Sequence, residues 1–168
     1  SGMTGAAAPY ACRVRAMIAF NGELVAGGNF TVAGGVPCSL IARWNGSSWA
    51  PLGSGISGNP SHVDALCVFN GELIVGGYFS SAGGTYCYGA AKWNGSSWTP
   101  LPGMNSVSAL IVFNGELIAG GSWYSYEIGG MRSSVMKWNG SNWVTLGNWI
   151  EPTGSNEVKA LAVFNGQL

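Results

Sequence analysis

Residues 64–69, Asp-Ala-Leu-Cys-Val-Phe, are largely apolar on both faces over a short run, the pattern of a strand buried on both sides. Asn70-Gly71 follows, a dipeptide that accepts the positive φ angles of a two-residue type I′ hairpin. Residues 72–79 predict the next strand, and the double glycine Gly76-Gly77 within it lets another backbone or a bulky neighbour come close. Residues 80–85 read as a loop with a second Gly-Gly, residues 86–93 as a third strand, and Asn94-Gly95 as another hairpin. A fourth strand covers residues 97–101; its Pro100 cannot donate a ladder hydrogen bond, which places it at a sheet edge.

This unit recurs. Phe-Asn-Gly-Glu-Leu begins at Phe20, Phe69 and Phe113, and Phe-Asn-Gly-Gln-Leu begins at Phe164, in steps of 49, 44 and 51 residues. Trp-Asn-Gly-Ser-(Ser/Asn)-Trp begins at Trp44, Trp93 and Trp138. Such a period marks a repeat architecture, and four antiparallel strands with a Pro-bearing last strand describe a propeller blade. The fold expected is all-β: three four-stranded antiparallel propeller-type blades plus the first strand of a fourth. The first strand of each would line the central axis. The divisions are an N-terminal arm over 1–12, blades over 13–57, 58–104 and 105–157, and the extra strand in 158–168. Glu23, Glu72 and Glu116 open the second strands, and Arg43, Lys92 and Lys137 close the third ones. Recurring opposite charges at antiparallel neighbours predict cross-strand pairs, informative for register although each is worth well under ~1 kcal/mol.

The double glycines Gly27-Gly28, Gly76-Gly77 and Gly120-Gly121, with Trp49/Leu52, Trp98/Leu101 and Trp143/Leu146 further on, resemble the kelch type of β-propeller repeat. The whole unit is still more similar to the Gly-Gly-x-Phe…Ala-Gly-Gly…Trp-Asn-Gly-Ser-Ser-Trp-x-x-Leu-Gly repeats of bacterial extracellular propellers. The resemblance implies the fold and an extracellular or cell-surface location. It implies no activity, because propellers host many unrelated ones. Galactose-oxidase-like enzymes share the architecture, but their copper site needs several His and Tyr ligands, and His62 is the one histidine here.

Composition narrows the function. Of 168 residues only 8% are charged, against a typical ~25%, and formal net charge is zero without a basic cluster. That argues against nucleic acid as a partner and leaves little repulsion between copies. No apolar run reaches the ~18–20 residues of a membrane span, and residues 1–9 lack the apolar core of a signal peptide. Cys12, Cys38, Cys67 and Cys87 form no Cys-x-x-Cys pair, so neither a metal site nor a disulfide-dense framework is expected. Cys67 reads as a buried thiol.

Catalytic groupings are absent from the pattern. His62 lies in the linker 58–62, where a solvated side chain is expected, and the recurrent glutamates are accounted for by the cross-strand pairs. No phosphate loop or metal-binding run appears, so no catalytic residue, metal or cofactor is assigned. Binding is the better prospect. The third repeat departs from the others over residues 122–128, Ser-Trp-Tyr-Ser-Tyr-Glu-Ile, where Trp123, Tyr124 and Tyr126 are candidates for contact with a glycan or a protein. The competing reading makes Trp123 a replacement for the inter-blade Phe30 and Phe79. Asn29, Asn45, Asn94 and Asn139 head Asn-x-Ser/Thr sequons and are candidate glycosylation sites.

Three blades are fewer than a closed propeller uses. The extra strand, with Lys159, Leu161, Val163 and Phe164, is therefore expected to add to another copy, giving a ring or filament. A fragment of a larger propeller is the alternative explanation. The uncharged segment 4–10 would be flexible enough to cross into a neighbour. The resulting expectation is a non-catalytic, self-assembling scaffold; the alternative is a carbohydrate- or protein-binding extracellular module. A β-trefoil, also three repeats of four strands, is the rival fold, but it closes at three and leaves the fourth copy unexplained.

Overall fold

The computed structural model describes residues 2–5, 11–58, 61–125, 130–147 and 157–168, with backbone alone at 123–125 and 130–132. Every regular element among them is a β-strand. The first repeat contributes β1 (Met3–Thr4), β2 (Val14–Phe20), β3 (Glu23–Gly28), β4 (Val32–Ala33), β5 (Val36–Pro37), β6 (Ile41–Trp44) and β7 (Trp49–Pro51). The second contributes β8 (Ile56–Ser57), β9 (His62–Phe69), β10 (Glu72–Tyr78), β11 (Ser81–Ala82), β12 (Thr85–Tyr86), β13 (Ala90–Trp93) and β14 (Trp98–Pro100). The third contributes β15 (Ser106–Phe113), β16 (Glu116–Ser125), β17 (Gly130–Trp138) and β18 (Trp143–Thr145).

Three four-stranded antiparallel sheets result, in the orders β2-β3-β6-β7, β9-β10-β13-β14 and β15-β16-β17-β18. Their first strands adjoin, β9 touching both β2 and β15. Local chemistry sets the turns. Asn21, Asn70 and Asn114 hold φ near 50° and the following glycines φ of 77–78°, as a type I′ hairpin requires. Pro51 and Pro100 sit in the outermost strands β7 and β14, where a missing N–H costs no ladder bond. The charged pairs form: Arg43–Glu23 at 3.1 Å, Lys92–Glu72 at 2.8 Å and Lys137–Glu116 at 2.9 Å. They are diagonal, since Arg43, Lys92 and Lys137 stand opposite Val25, Ile74 and Ile118.

The strand buried on both sides is the second of each sheet, not the first as the apolar run implied. β10 is buried over 73–77 and β3 over 25–28, whereas β9 only alternates and β2 is largely exposed. The first strand is an edge with one partner; the second has a strand on each side and a neighbouring sheet above it. The core accordingly lies between sheets. Phe20, Val25, Ile41, Leu73, Val75 and Trp93 fill the space between the first two. Cys67, Ile74, Leu101, Val107, Leu117 and Trp143 fill that between the second and third. The tryptophans belong to these contacts: Trp44–Trp49, Trp93–Trp98 and Trp138–Trp143 pair at 5.5, 5.1 and 5.3 Å between ring centroids. Trp98 Nε1 also donates to Leu52 O of the preceding repeat at 3.2 Å.

Residues 80–85 are not a loop. β11 and β12 form a hairpin turned by Gly83 and Gly84, with φ of 61° and 82°, and β8 adds to it as a third strand. The third strand of the main sheet consequently begins at Ala90, not at residue 86. The first repeat has the same small sheet, β1-β4-β5. Met3 and Thr4 pair with Ala33 and Val32 as Ile56 and Ser57 pair with Ala82 and Ser81. Part of the segment expected to reach a neighbour is therefore a strand of its own chain, satisfying backbone groups that the hairpin edge would leave open.

Candidate functional site

Across from each double glycine the first strand carries a β-bulge. Val14 pairs with Gly28 and Ala16 with Gly27, which leaves Arg15 unpaired. Asp64 and Ser108 are left out in the same way opposite Gly76-Gly77 and Gly120-Gly121. The bulge brings the strand so close that a Cβ on Gly28, Gly77 or Gly121 would collide with the carbonyl oxygen of Arg13, His62 or Ser106. A bulge re-aims the side chain that it displaces. Here the displaced positions converge.

Arg15 Nη1 donates to Asp64 Oδ1 at 2.8 Å, and His62 Nε2 lies 3.0 Å from Asp64 Oδ2. The His62 ring stacks on Tyr78 with centroids 6.0 Å apart. Opposite this group, the Ser108 hydroxyl donates to Glu157, and Lys159 Nζ stands 3.8 Å from the same carboxylate. Arg15, His62, Asp64, Ser108, Glu157 and Lys159 line a cavity of about 320 Å³. Asp64, with a side chain only 14% exposed, is its most enclosed ion; Lys159, at 78%, is its most open.

None of these residues was singled out for binding from the sequence except Lys159, read there as part of an assembly strand. His62, expected to be a solvated linker residue, is the first residue of β9 with an ionic partner and an aromatic one. A signal did exist. Arg15, Asp64, Ser108 and Lys159 all stand five residues before a Phe-Asn-Gly, each between a Val and an Ala, and that position and the one two before it (Arg13, His62, Ser106, Glu157) differ in every copy.

The residues assigned to binding lie elsewhere. Trp123 and Tyr124 are in β16, with backbone partners Arg132 and Met131; their side chains, and Tyr126 altogether, fall outside the described residues. There β16 and β17 run on as a ribbon with unbroken pairing from Ile118–Lys137 to Ser125–Gly130. In the last segment, Leu161 is half-buried, while Val163 and Phe164 are 46% and 76% exposed. Phe164 exchanges backbone hydrogen bonds with Gln167 around Asn165-Gly166. That turn is formed, but among the described residues no ladder precedes it.

At the sequons, Asn29 uses both ends of its amide, accepting from Arg13 N at 2.7 Å and donating to Ala11 O at 3.0 Å. Asn45, Asn94 and Asn139 are not the two-residue turns expected of Asn-Gly. Trp93 pairs with Trp98, so four residues make the turn. Asn94 Oδ1 accepts the backbone N–H groups of Ser96 and Ser97, both at 2.9 Å. Asn45 and Asn139 do the same for the corresponding residues. All four cysteines are free thiols; burial pushes Cys67 and Cys87 up to about 11 and raises Cys38. Among the described residues no group of three or more His, Cys, Asp or Glu is placed to hold a metal ion, and no helix is long and apolar enough to cross a membrane.

Four-stranded antiparallel sheets with adjoining first strands and cores between successive sheets are the architecture of a β-propeller. The model of one family, the Rax2 C-terminal beta propeller domain, matches residues 9–167, and the chain belongs to that family. No curated protein matches it.

Proposed function

We propose that the chain is a non-catalytic propeller scaffold, built of kelch-type blades and extended end to end by other copies of itself. The observation that carries this reading is the mismatch between equivalent positions at the two ends. Val63 and Val107 are fully buried against the glycine of the preceding sheet, whereas their counterpart Val14 is 40% exposed and Met17 beside it 64%. At the other end Val158 is seated on Gly120, yet Phe164 is 76% exposed where Phe20 is 6%. One end thus presents a sheet face without a cover, and the other a seated segment without a sheet.

A contact joining two such ends is head-to-tail, so it yields a ring where the rotation closes and a filament where it does not. Covering one large apolar side chain contributes about 1.5–3 kcal/mol, and the low charge opposes it little. The kelch assignment is supported by the double glycines at the sheet contacts and by Leu52 and Leu101, both buried after their tryptophans. Light scattering across a concentration series should show multiples of the 17.3 kDa chain. A mass fixed at one chain at every concentration would sink the proposal.

A further inference from the structure

We infer that the cavity bounded by Arg15, His62, Asp64, Ser108, Glu157 and Lys159 is a saccharide site, shaped for an uncharged pyranose with adjacent hydroxyl groups. The ion pairs between second and third strands recur in all three repeats. The groups in the cavity do not: the bulge position is Arg, Asp and Ser in turn, with Lys at the matching place in the fourth copy. A structural device copied with the repeat would have stayed the same, so the divergence belongs to what the repeats surround.

The chemistry selects the ligand. Arg15 and Lys159 balance Asp64 and Glu157, leaving little net field to favour an ion. What remains is capacity for hydrogen bonds of both kinds. Arg15 uses one of its N–H groups on Asp64 and keeps others, the Lys159 ammonium has three, and each carboxylate oxygen keeps a lone pair beyond its present partner. A sugar hydroxyl both donates and accepts, so it fits between a carboxylate and a cation. Neighbouring hydroxyls fit a row in which the two alternate.

The volume of about 320 Å³ lies at the small end of the usual range for ligand sites, about 300–1,000 Å³. Asp64, gripped from two sides, and the bulges that aim Arg15 and Ser108 are already set, which lowers the ordering cost of binding. The inference is independent of self-assembly.

Isothermal titration calorimetry of the whole chain with the methyl glycosides of glucose, galactose and mannose, and with glucuronate as the anionic control, tests it. At least one neutral glycoside should bind saturably, and in preference to glucuronate. Asp64→Asn and Lys159→Ala should each weaken that binding roughly tenfold, as expected for loss of a hydrogen bond to a charged group. Lys159 is exposed enough that its variant tests the site even if Asp64→Asn fails to fold. Heat from glucuronate alone, from none of the glycosides, or unchanged in Lys159→Ala overturns the assignment.

Discussion

Val158 sits against Gly120 as Val63 sits against Gly27 and Val107 against Gly76: a Cβ on any of these glycines would collide with the Cγ1 of its valine. Each first strand, or the segment in its place, thus docks on the preceding sheet through one missing methyl. The second glycine of each pair has a different duty, making room for the bulged backbone.

These duties separate experimentally. Gly76→Ala should destabilise the fold by about 1–3 kcal/mol through overpacking, because its Cβ would lie 2.6 Å from Val107 Cγ1. Pairing it with Val107→Ala should recover part of that loss, as a negative coupling in a double-mutant cycle. Gly77→Ala would strike the backbone oxygen of His62, which no side-chain deletion relieves. Urea unfolding of the variants checks the contrast; equal rescue of both would contradict it.

Met17→Glu should abolish association while changing stability by no more than about 0.5 kcal/mol, since Met17 is already 64% exposed and exposed substitutions are usually this mild. Val63→Glu, on a fully buried counterpart of Val14, should instead unfold the chain. Light scattering and circular dichroism on the same samples distinguish the two results.

The two kinds of Asn-Gly should respond oppositely to glycine. Asn70, at φ 51°, can be replaced by Gly within about 0.5 kcal/mol, because Gly takes the left-handed region freely. Asn94→Gly loses the oxygen that accepts two backbone N–H groups and should cost about 1 kcal/mol, the usual net worth of a hydrogen bond. Thermal melts of both variants decide the matter.

Alkaline stability reports the buried thiols. Cys67 and Cys87 ionise at about 11 in the folded chain against an ordinary 9.0. From pH 9 upward the unfolded chain therefore releases protons that the folded one retains. Their contribution is fully present below pH 9 and is lost as pH rises through about 11. Denaturant unfolding at pH 8, 9.5 and 10.5 should show that decline, and a Cys67→Ala/Cys87→Ala variant should flatten it. An identical slope in both proteins would refute the assignment.

Much of this architecture is legible without coordinates, and the legible part is local. The type I′ turns at Asn21, Asn70 and Asn114 follow from what Asn-Gly tolerates, and the edge strands from the N–H that Pro51 and Pro100 lack. The pairing of Glu72 with Lys92 follows from a charge pattern copied three times. The small sheets are hard to foresee because two-residue strands such as Ile56–Ser57 carry no periodicity, and their partners Ala82 and Ser81 lie beyond the whole of β9 and β10. The Asn94 turn was misread because its dipeptide is the one that makes a two-residue turn at Asn70.

Sequence alone sets the period, the turns at Asn21, Asn70 and Asn114 and the order of strands within each sheet, since these depend on the φ preferences, hydrogen-bond donors and side-chain charges of neighbours along the chain. It takes the packing of distant segments to bury the second strands, to pair Met3–Thr4 into a small sheet, and to gather a polar cavity at the bulges. Arg15 meets Asp64, and Ser108 meets Glu157, each across 49 residues. Such contacts arise from how successive sheets stack on their glycines, a relation between distant segments that no local preference encodes.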